Sequence, residues 1–475
     1  MSRLYPLLAV AVAGTLSGCN FQKSGTIAEG EIVQFPPVAH GRMMVRATAG
    51  AVLADPLGST VAGGRMLTRR TLSQMDGVIR MIGMPTPTGV PEPGSEAFEV
   101  YLDQRKLSSR TWGKVDLLVD GNEFFPEFIR SVEGARSSVD SQVFIFDNDD
   151  WAVAVADVFK RKSREVPTRI LIDNMGSRVA HMIDPETRQP AGFHPPPFIG
   201  DYLRDGSEIE FRANMNPFFL ADHCKIHIID GRQAFIGGMN IGREYRSEWH
   251  DAMMKLEGPV VLQLAHVFKR HWQREDWLRN WTLRNAFPSR KVIPTIRTAA
   301  DQIPLRVLRT DVATQRESIA QALHLAISGA RRRVWIHTPY LTGDEILGDL
   351  TAAVRRGVDV RVIIPGTNDS GLMHAVNFTG AHGLIREGAR FYSYPKMCHL
   401  KACLIDGWGM FGSANFDTLS LRLNRELNVA SSSDRFTGLL EKRIFLPDFG
   451  KSARITEARA YRESLPFLDA LGNQL

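Results

Sequence analysis

The sequence predicts an α/β protein of two similar lobes, each a mixed sheet flanked by helices, with a functional site at the lobe interface. Three observations predict it. From about residue 114, short apolar runs alternate with stretches of helical periodicity. The same order returns after about residue 300, and one motif occurs once in each half, 176 residues apart. An internal repeat of this size means two copies of one structural unit.

Residues 115–119 are the first apolar run. Residues 122–135 follow with Phe125, Phe128, Ile129 and Val132 on one helical face. Residues 139–146 read as a buried strand, 151–162 as an amphipathic helix and 169–173 (Arg-Ile-Leu-Ile-Asp) as a second short strand. Strand, helix, strand in succession argues for a mixed or parallel sheet. In the second half, 317–330 is a helix, 333–340 a strand, 344–356 a helix and 361–365 a strand. Residues 166–170 line up with 358–362, and Arg204-Asp205-Gly206 with Arg386-Glu387-Gly388. We therefore expect a first lobe over 114–290 and a second over 300–470, with a boundary near 285–303 where the periodicity fades. Residues 19–113 read as a tether and accessory segment, with short strand candidates at 32–35 and 43–47 and a Pro/Gly-rich linker at 85–94.

A length of 475 residues suits two or three domains and a large buried core. The 44% hydrophobic and 23% charged content is globular and excludes a broadly disordered chain. A net charge of +6 favours anionic partners such as phospholipid headgroups or nucleic acid without choosing between them. No basic, aromatic-interleaved tract marks a nucleic-acid groove.

Residues 1–18 read as a lipoprotein signal peptide. Arg3 supplies the positive start, residues 7–16 an apolar stretch too short to span a bilayer, and Leu16-Ser17-Gly18-Cys19 a lipobox-like end. The expectation is lipidation at Cys19 and a membrane-anchored protein facing the periplasm, with the outer membrane as one destination. Three further cysteines, Cys224, Cys398 and Cys403, read as small buried side chains rather than a disulfide framework.

The repeated motif is H-x-K-x-x-x-x-D: His223, Lys225 and Asp230, then His399, Lys401 and Asp406. Composition gives about 0.02 chance matches, so two are strong evidence of function. Asn240 and Asn415 follow their histidines by 17 and 16 residues; Asp251 and Glu426 follow by 28 and 27. Alternation along a strand puts His and Lys on one face. All six motif residues are candidate catalytic residues; the two aspartates, each beside a glycine, are also expected to close turns, and the lobes to face each other across an approximate two-fold axis.

This set suits phosphodiester exchange. A neutral imidazole attacks phosphorus, and a second, protonated, gives its proton to the departing alkoxide. Lys225 and Lys401 bind the non-bridging oxygens as fixed charges, and Asn240 and Asn415 donate hydrogen bonds to them. Asp251 and Glu426 accept from the other imidazole nitrogen and fix its tautomer. No metal or cofactor is expected, because the lysines take the cation's role. His227, on the same face, is favoured as a packing residue; His250 is balanced between surface and support, and Glu244 between helix surface and substrate contact.

These residues resemble the phospholipase D superfamily, whose signature is the doubled motif. The resemblance is nearest to bacterial cardiolipin synthases and related phosphatidyltransferases. It is carried by the run from His223 to Tyr245, by Trp249-His250-Asp251, Glu257-Gly258-Pro259 and Phe268…Trp272, and by Thr338-Pro339-Tyr340, Gly412-Ser413-Ala414-Asn415-Phe416-Asp417 and Asn424-Arg425-Glu426. It implies a phosphohistidine intermediate, with His223 as nucleophile and His399 as general acid. Its implied partners are a membrane surface and phospholipids, phosphatidylglycerol and phosphatidylethanolamine among them. The sequence departs from the family at Cys224, where a basic residue is usual, and at Leu419, where an arginine is common. A phospholipase D hydrolase is the alternative, followed by a nuclease and a scaffold with a dead site.

Overall fold

A computed structural model describes residues 87, 89–183, 185–214, 221–277, 296–311 and 316–464. Cys19 and the signal segment, the strand candidates at 32–35 and 43–47, and Phe218-Phe219-Leu220, which the sequence offers either as an acyl-chain entrance or as packing, lie outside the described residues.

The first lobe runs α1 (Glu96–Gln104), β1 (Arg110–Val119), α2 (Asp120–Glu133), β2 (Val139–Val143), α3 (Asp150–Ser163), β3 (Thr168–Asp173), α4 (Asn174–Ala180), α5 (Ile199–Arg204), β4 (Glu210–Asn214), β5 (Ile226–Ile229), β6 (Gln233–Gly237), β7 (Ala252–Glu257) and α6 (Val260–Trp277). The second repeats the order: β8 (Ile303–Asp311), the short β9 (Arg316–Glu317), α7 (Ser318–Gly329), β10 (Arg333–His337), α8 (Asp344–Arg355), β11 (Asp359–Pro365), α9 (Gly371–Glu387), β12 (Arg390–Tyr394), β13 (Ala402–Ile405), β14 (Trp408–Gly412) and β15 (Glu426–Ser431). It closes with α10 (Asp434–Leu440), α11 (Leu446–Lys451), β16 (Ala453–Arg454) and α12 (Glu457–Glu463).

Sixteen strands join one sheet among the described residues, in the order β16-β12-β11-β10-β13-β14-β15-β8-β1-β7-β6-β5-β2-β3-β4, with β9 beside β8. Each lobe holds three parallel strands, β2-β3-β4 or β10-β11-β12, and continues antiparallel from there. The lobes meet where β1 pairs with β8, Arg110–Gly113 opposite Arg306–Ile303. The expected mixed sheets are present, and they are continuous across the seam.

The helices follow the sequence pattern closely. Helix α2 buries Phe124, Phe125, Phe128 and Val132, and Phe124 and Phe128 stack at 5.2 Å. Each such ring contributes roughly 1.5–3 kcal/mol by leaving water. Asp149 caps α3 by accepting from the Ala152 amide at 2.7 Å. A second apolar cluster crosses the seam, joining Leu256, Val260 and Phe268 to Leu404, Phe411 and Phe436. The strands of 139–146 and 333–340 end earlier than the apolar runs do, at Val143 and His337.

Part of the accessory segment proves integral. Helix α1 packs on the second lobe: Phe98 and Leu102 are fully buried there, and Phe98 sits edge-on to Trp408 at 6.1 Å. Glu99 accepts from the buried guanidinium of Arg306, tying α1 to β8. No helix of the described residues is long and apolar enough to cross a membrane.

Candidate active site

The histidine and lysine of each motif stand just before a strand, not within one. His223 and Lys225 precede β5, and His399 and Lys401 precede β13. The expectation of strand pairing at these residues is corrected for a physical reason: their backbone bonds across the lobe interface instead. The His223 amide donates to the Arg425 carbonyl at 2.9 Å, and the Arg425 amide to Ala221 at 2.9 Å. In the second copy the His399 amide donates to the His250 carbonyl at 2.7 Å, and the His250 amide to Met397 at 3.0 Å.

These bridges lead β7 of one lobe and β15 of the other to the opposite lobe's histidine, so the carboxylates are exchanged. Nδ1 of His223 lies 2.9 Å from Oε1 of Glu426, in the second lobe. Nδ1 of His399 lies 2.8 Å from Oδ2 of Asp251, in the first. Each carboxylate fixes the tautomer of a histidine it does not follow in sequence. Both imidazoles and both carboxylates are buried. The Ser413 hydroxyl donates to Glu426. At the equivalent position stands Gly238, where a Cβ would sit 2.2 Å from Asp251 Oδ1, so only glycine leaves room for that carboxylate.

The lysines are buried beside their histidines, and each ammonium donates to the carbonyl of its own histidine. Lys225 also lies 5.2 Å from the Phe144 ring. Burial pushes both imidazoles well below their ordinary value, and Lys225 and Lys401 each add to the shift on both histidines. The crossed backbone and carboxylate contacts hold both His-Lys sets at the lobe interface. Burial raises the Asp251 carboxyl to about 7 against the pull of Lys401, and the Glu426 carboxyl to about 7 against the pull of Lys225.

The aspartates of the motif are not at this site. Asp230 and Asp406 lie in the turns at the far ends of β5 and β13, at φ 55° and 48°. Asp230 accepts from the amides of Arg136, Ser137 and Ser138. Asp406 accepts from those of Arg331, Arg332 and Arg333 at 2.8–2.9 Å. Burial pushes the Asp230 carboxyl up, but these amide donors outweigh it and leave it below its ordinary value. The catalytic assignment of both is corrected to fastening each turn to the chain before β2 or β10; turn closure itself was expected.

Asn240 serves the scaffold as well. Its Oδ1 accepts from the Ile145 amide and its Nδ2 donates to the Tyr245 hydroxyl at 2.8 Å. Asn415 is buried, with a side-chain hydrogen bond to Asp417. His227 is a core residue: it packs against Phe128 with ring centroids 4.4 Å apart at a 45° tilt, meets the Ser141 hydroxyl, and burial lowers it to about 3. Glu244, balanced in the sequence between helix surface and substrate contact, is fully buried near Asp147 and Asp149. Cys224, Cys398 and Cys403 are buried free thiols.

Sequence reasoning missed the aromatic walls. Phe144 meets His223 edge-on at 5.0 Å; Tyr245 and Trp249 flank His399 at 5.5 and 5.6 Å. Tyr245 and Trp249 lie inside the motif blocks, so proximity in sequence was their signal. Among the described residues, three compact groups hold potential metal-ligating atoms: Asp222, Cys224 and His271; His250, His337 and Asp448; Asp147, Asp149 and Glu244. In the first, Asp222 is already taken by Gln142, Asn214 and Arg425.

With two crossed histidine pairs and two buried lysines in place, comparison with known proteins is decisive. The family model described as "Cardiolipin synthase, PLD-like domain" matches residues 128–272 and 323–445, which span both motif copies. The chain belongs to this phospholipase D-like family. It is 30% identical over 394 residues to the probable cardiolipin synthase YwiE of Bacillus subtilis, covering 80% of this chain and 75% of that one. It is 32% identical over 360 residues to cardiolipin synthase A of Pseudomonas entomophila, covering 72% and 70%. The crystal structure of phosphatidylserine synthase from Haemophilus influenzae shares the fold: TM-score 0.59 at 12% identity, covering 78% of this chain and 95% of that one.

Proposed function

We propose that this chain is a cardiolipin synthase-like phosphatidyltransferase that moves a phosphatidyl group between alcohols through a phosphohistidine on His223. The observation that carries the reading is the pair of buried imidazoles, each tied at Nδ1 to a carboxylate of the opposite lobe, with both lysines beside them. With Glu426 ionised, His223 holds its proton on Nδ1 and keeps an Nε2 lone pair. That lone pair attacks the phosphorus of a phospholipid. The bond from phosphorus to the headgroup oxygen breaks, and the oxygen takes its electron pair and a proton from His399. His399 then removes a proton from the incoming hydroxyl. The hydroxyl oxygen attacks phosphorus, and the P–N bond breaks to return the electron pair to His223. Lys225 and Lys401 offset charge on the non-bridging oxygens as it develops.

The relatives' names and the chemistry of a phosphatidyl carrier favour phosphatidylglycerol as donor and acceptor, giving cardiolipin and glycerol; phosphatidylethanolamine is the second donor to test. Products from vesicles of each lipid are read by mass spectrometry beside His223→Ala. Cardiolipin absent from the variant supports transfer; phosphatidic acid alone assigns a hydrolase. The anchor belongs to the same reading: lipidation of Cys19 would hold the enzyme at a periplasmic membrane face. Labelling of cells with a radioactive fatty acid, lost in Cys19→Ala, tests that separately.

A further inference from the structure

The two exchanged segments are related by the pseudo-two-fold, and the residue before each carboxylate is basic. Before Glu426 it is Arg425, whose guanidinium reaches across the seam to Asp222 at 2.6 Å. Before Asp251 it is His250, which also bridges the lobes. Its Nδ1 lies 2.7 Å from Asp120, at the β1–α2 junction of the first lobe. Its Nε2 lies 2.9 Å from Asp448, on α11 of the second. The ring is 1% exposed and stacks on Tyr394 at 4.6 Å and 13°.

Asp120 connects this ring to the site. It is a non-glycine residue at φ 61°, a conformation that costs energy unless its surroundings hold it. Its amide donates to the Asp251 carbonyl at 2.8 Å, and its Oδ1 accepts from the Asp251 amide at 3.2 Å. The backbone of the residue that orients His399 is thus gripped by the partner of His250.

We propose that His250, held as an imidazolium between Asp120 and Asp448, is a positioning residue that locks the Asp251 carboxylate against His399 across the lobe interface. It is the titratable counterpart of Arg425. The inference rests on the phosphatidyltransfer reading above. Both ring nitrogens face carboxylate oxygens, an arrangement only the doubly protonated ring satisfies. Burial pushes His250 down, but Asp120 and Asp448 outweigh it and hold it up at about 9. The charged and titratable groups around it are Asp120 with Lys396 acting on it, Asp448 with Lys451 at 3.8 Å and His337 at 3.3 Å, Tyr394, Cys398, Asp251 and Lys401. Among these, His250 is one of the cations that pull the Asp251 carboxyl back down.

The test is His250→Gln, His250→Arg and Asp120→Asn in the full chain, with phosphatidylglycerol vesicles as substrate. kcat and KM are measured from pH 5.5 to 9.5. Outer partners of a catalytic group typically carry about 10–100-fold, so His250→Gln is expected to lower kcat by that factor with KM within about twofold. Loss of a cation near Asp251 moves the alkaline limb, set by the Asp251–His399 pair, to higher pH. The arginine variant recovers part of kcat, and Asp120→Asn moves the same limb less far. An unchanged kcat and pH profile in a folded glutamine variant overturns the proposal. So does stoichiometric zinc in the purified wild type, which would make His250, His337 and Asp448 metal ligands. If the wild type transfers no phosphatidyl group, the functional reading fails first. The imidazolium is then judged by urea unfolding: wild-type stability falls between pH 6.5 and 9, and His250→Gln removes that slope.

Discussion

Replacing Asp406 by Asn separates structure from chemistry in the motif. Asp406 Oδ1 accepts from the amides of Arg332 and Arg333, and Oδ2 from that of Arg331. Asparagine keeps one oxygen, enough for two of these donors, and suits the left-handed φ of 48°. It turns an N–H toward the third donor and removes the charge. One lost charge-assisted hydrogen bond costs about 1.5–3 kcal/mol. We expect unfolding free energy to fall by about 2 kcal/mol, a factor of about 30 in the folded-to-unfolded ratio. Urea unfolding should give a lower midpoint with an unchanged slope. Well below the transition, kcat for phosphatidyl transfer should stay within about threefold of wild type, because the carboxylate sits beyond the four residues of β13 from Lys401. A 100-fold fall in kcat at unchanged stability would refute the argument and return Asp406 to the chemistry.

Crossed pairing predicts that Glu426→Gln removes the downfield Nδ1 proton resonance of His223 and spares that of His399, while Asp251→Asn does the reverse; loss of the His399 resonance in Glu426→Gln would sink it. Either substitution should lower kcat by about 10³-fold through the wrong tautomer. One imidazole must be free to attack while the other carries its proton, and both carboxyl partners sit at about 7, so kcat/KM should be bell-shaped and narrow with its maximum near pH 7; a flat profile from pH 5 to 9 contradicts it. The lift of His250 from 6.5 to about 9 makes the folded protein keep a proton that the unfolded chain releases, so stability falls by about 3 kcal/mol as pH rises through that window, and His250→Gln flattens the fall in urea titrations. Arg425→Met leaves the buried Asp222 charge without its cation and should cost about 3–5 kcal/mol, and the double change with Asp222→Asn, which keeps an acceptor for Gln142 and Asn214, should recover part of it.

The sequence carried the architecture because its two repeats alternate short apolar runs with amphipathic helices, and each run buries into a sheet that leaves little freedom of register. It placed His223, Lys225, His399 and Lys401 at the lobe interface, where all four are buried and each histidine meets a carboxylate of the opposite lobe. Four things stayed hidden. Sequence order says that a carboxylate follows each histidine by 27 or 28 residues, but not that β7 and β15 deliver it to the other lobe. The aspartate of the motif looked catalytic because it recurs with the histidine; its partners are backbone amides, which carry no side-chain signal. Helix α1 was read into an accessory segment although Ser95 caps it and Phe98 and Leu102 share a face, signals overshadowed by the Pro/Gly-rich stretch before them. Asp448 and His337, far apart in sequence, had no pattern at all to join them to His250.

The β1–β8 seam has a mechanical consequence. Many two-lobed enzymes admit substrate by swinging their halves apart, but here the halves are one plate: ladder hydrogen bonds run through Arg110–Gly113 and Arg306–Ile303, and one apolar cluster crosses the join. A hinge there would tear the sheet. On the phosphatidyltransfer reading, a two-chained amphiphile would then reach the buried histidines without the lobes parting, over a site whose floor stays still. The geometry of phosphoryl transfer is then set once, at folding, and is not rebuilt with every turnover.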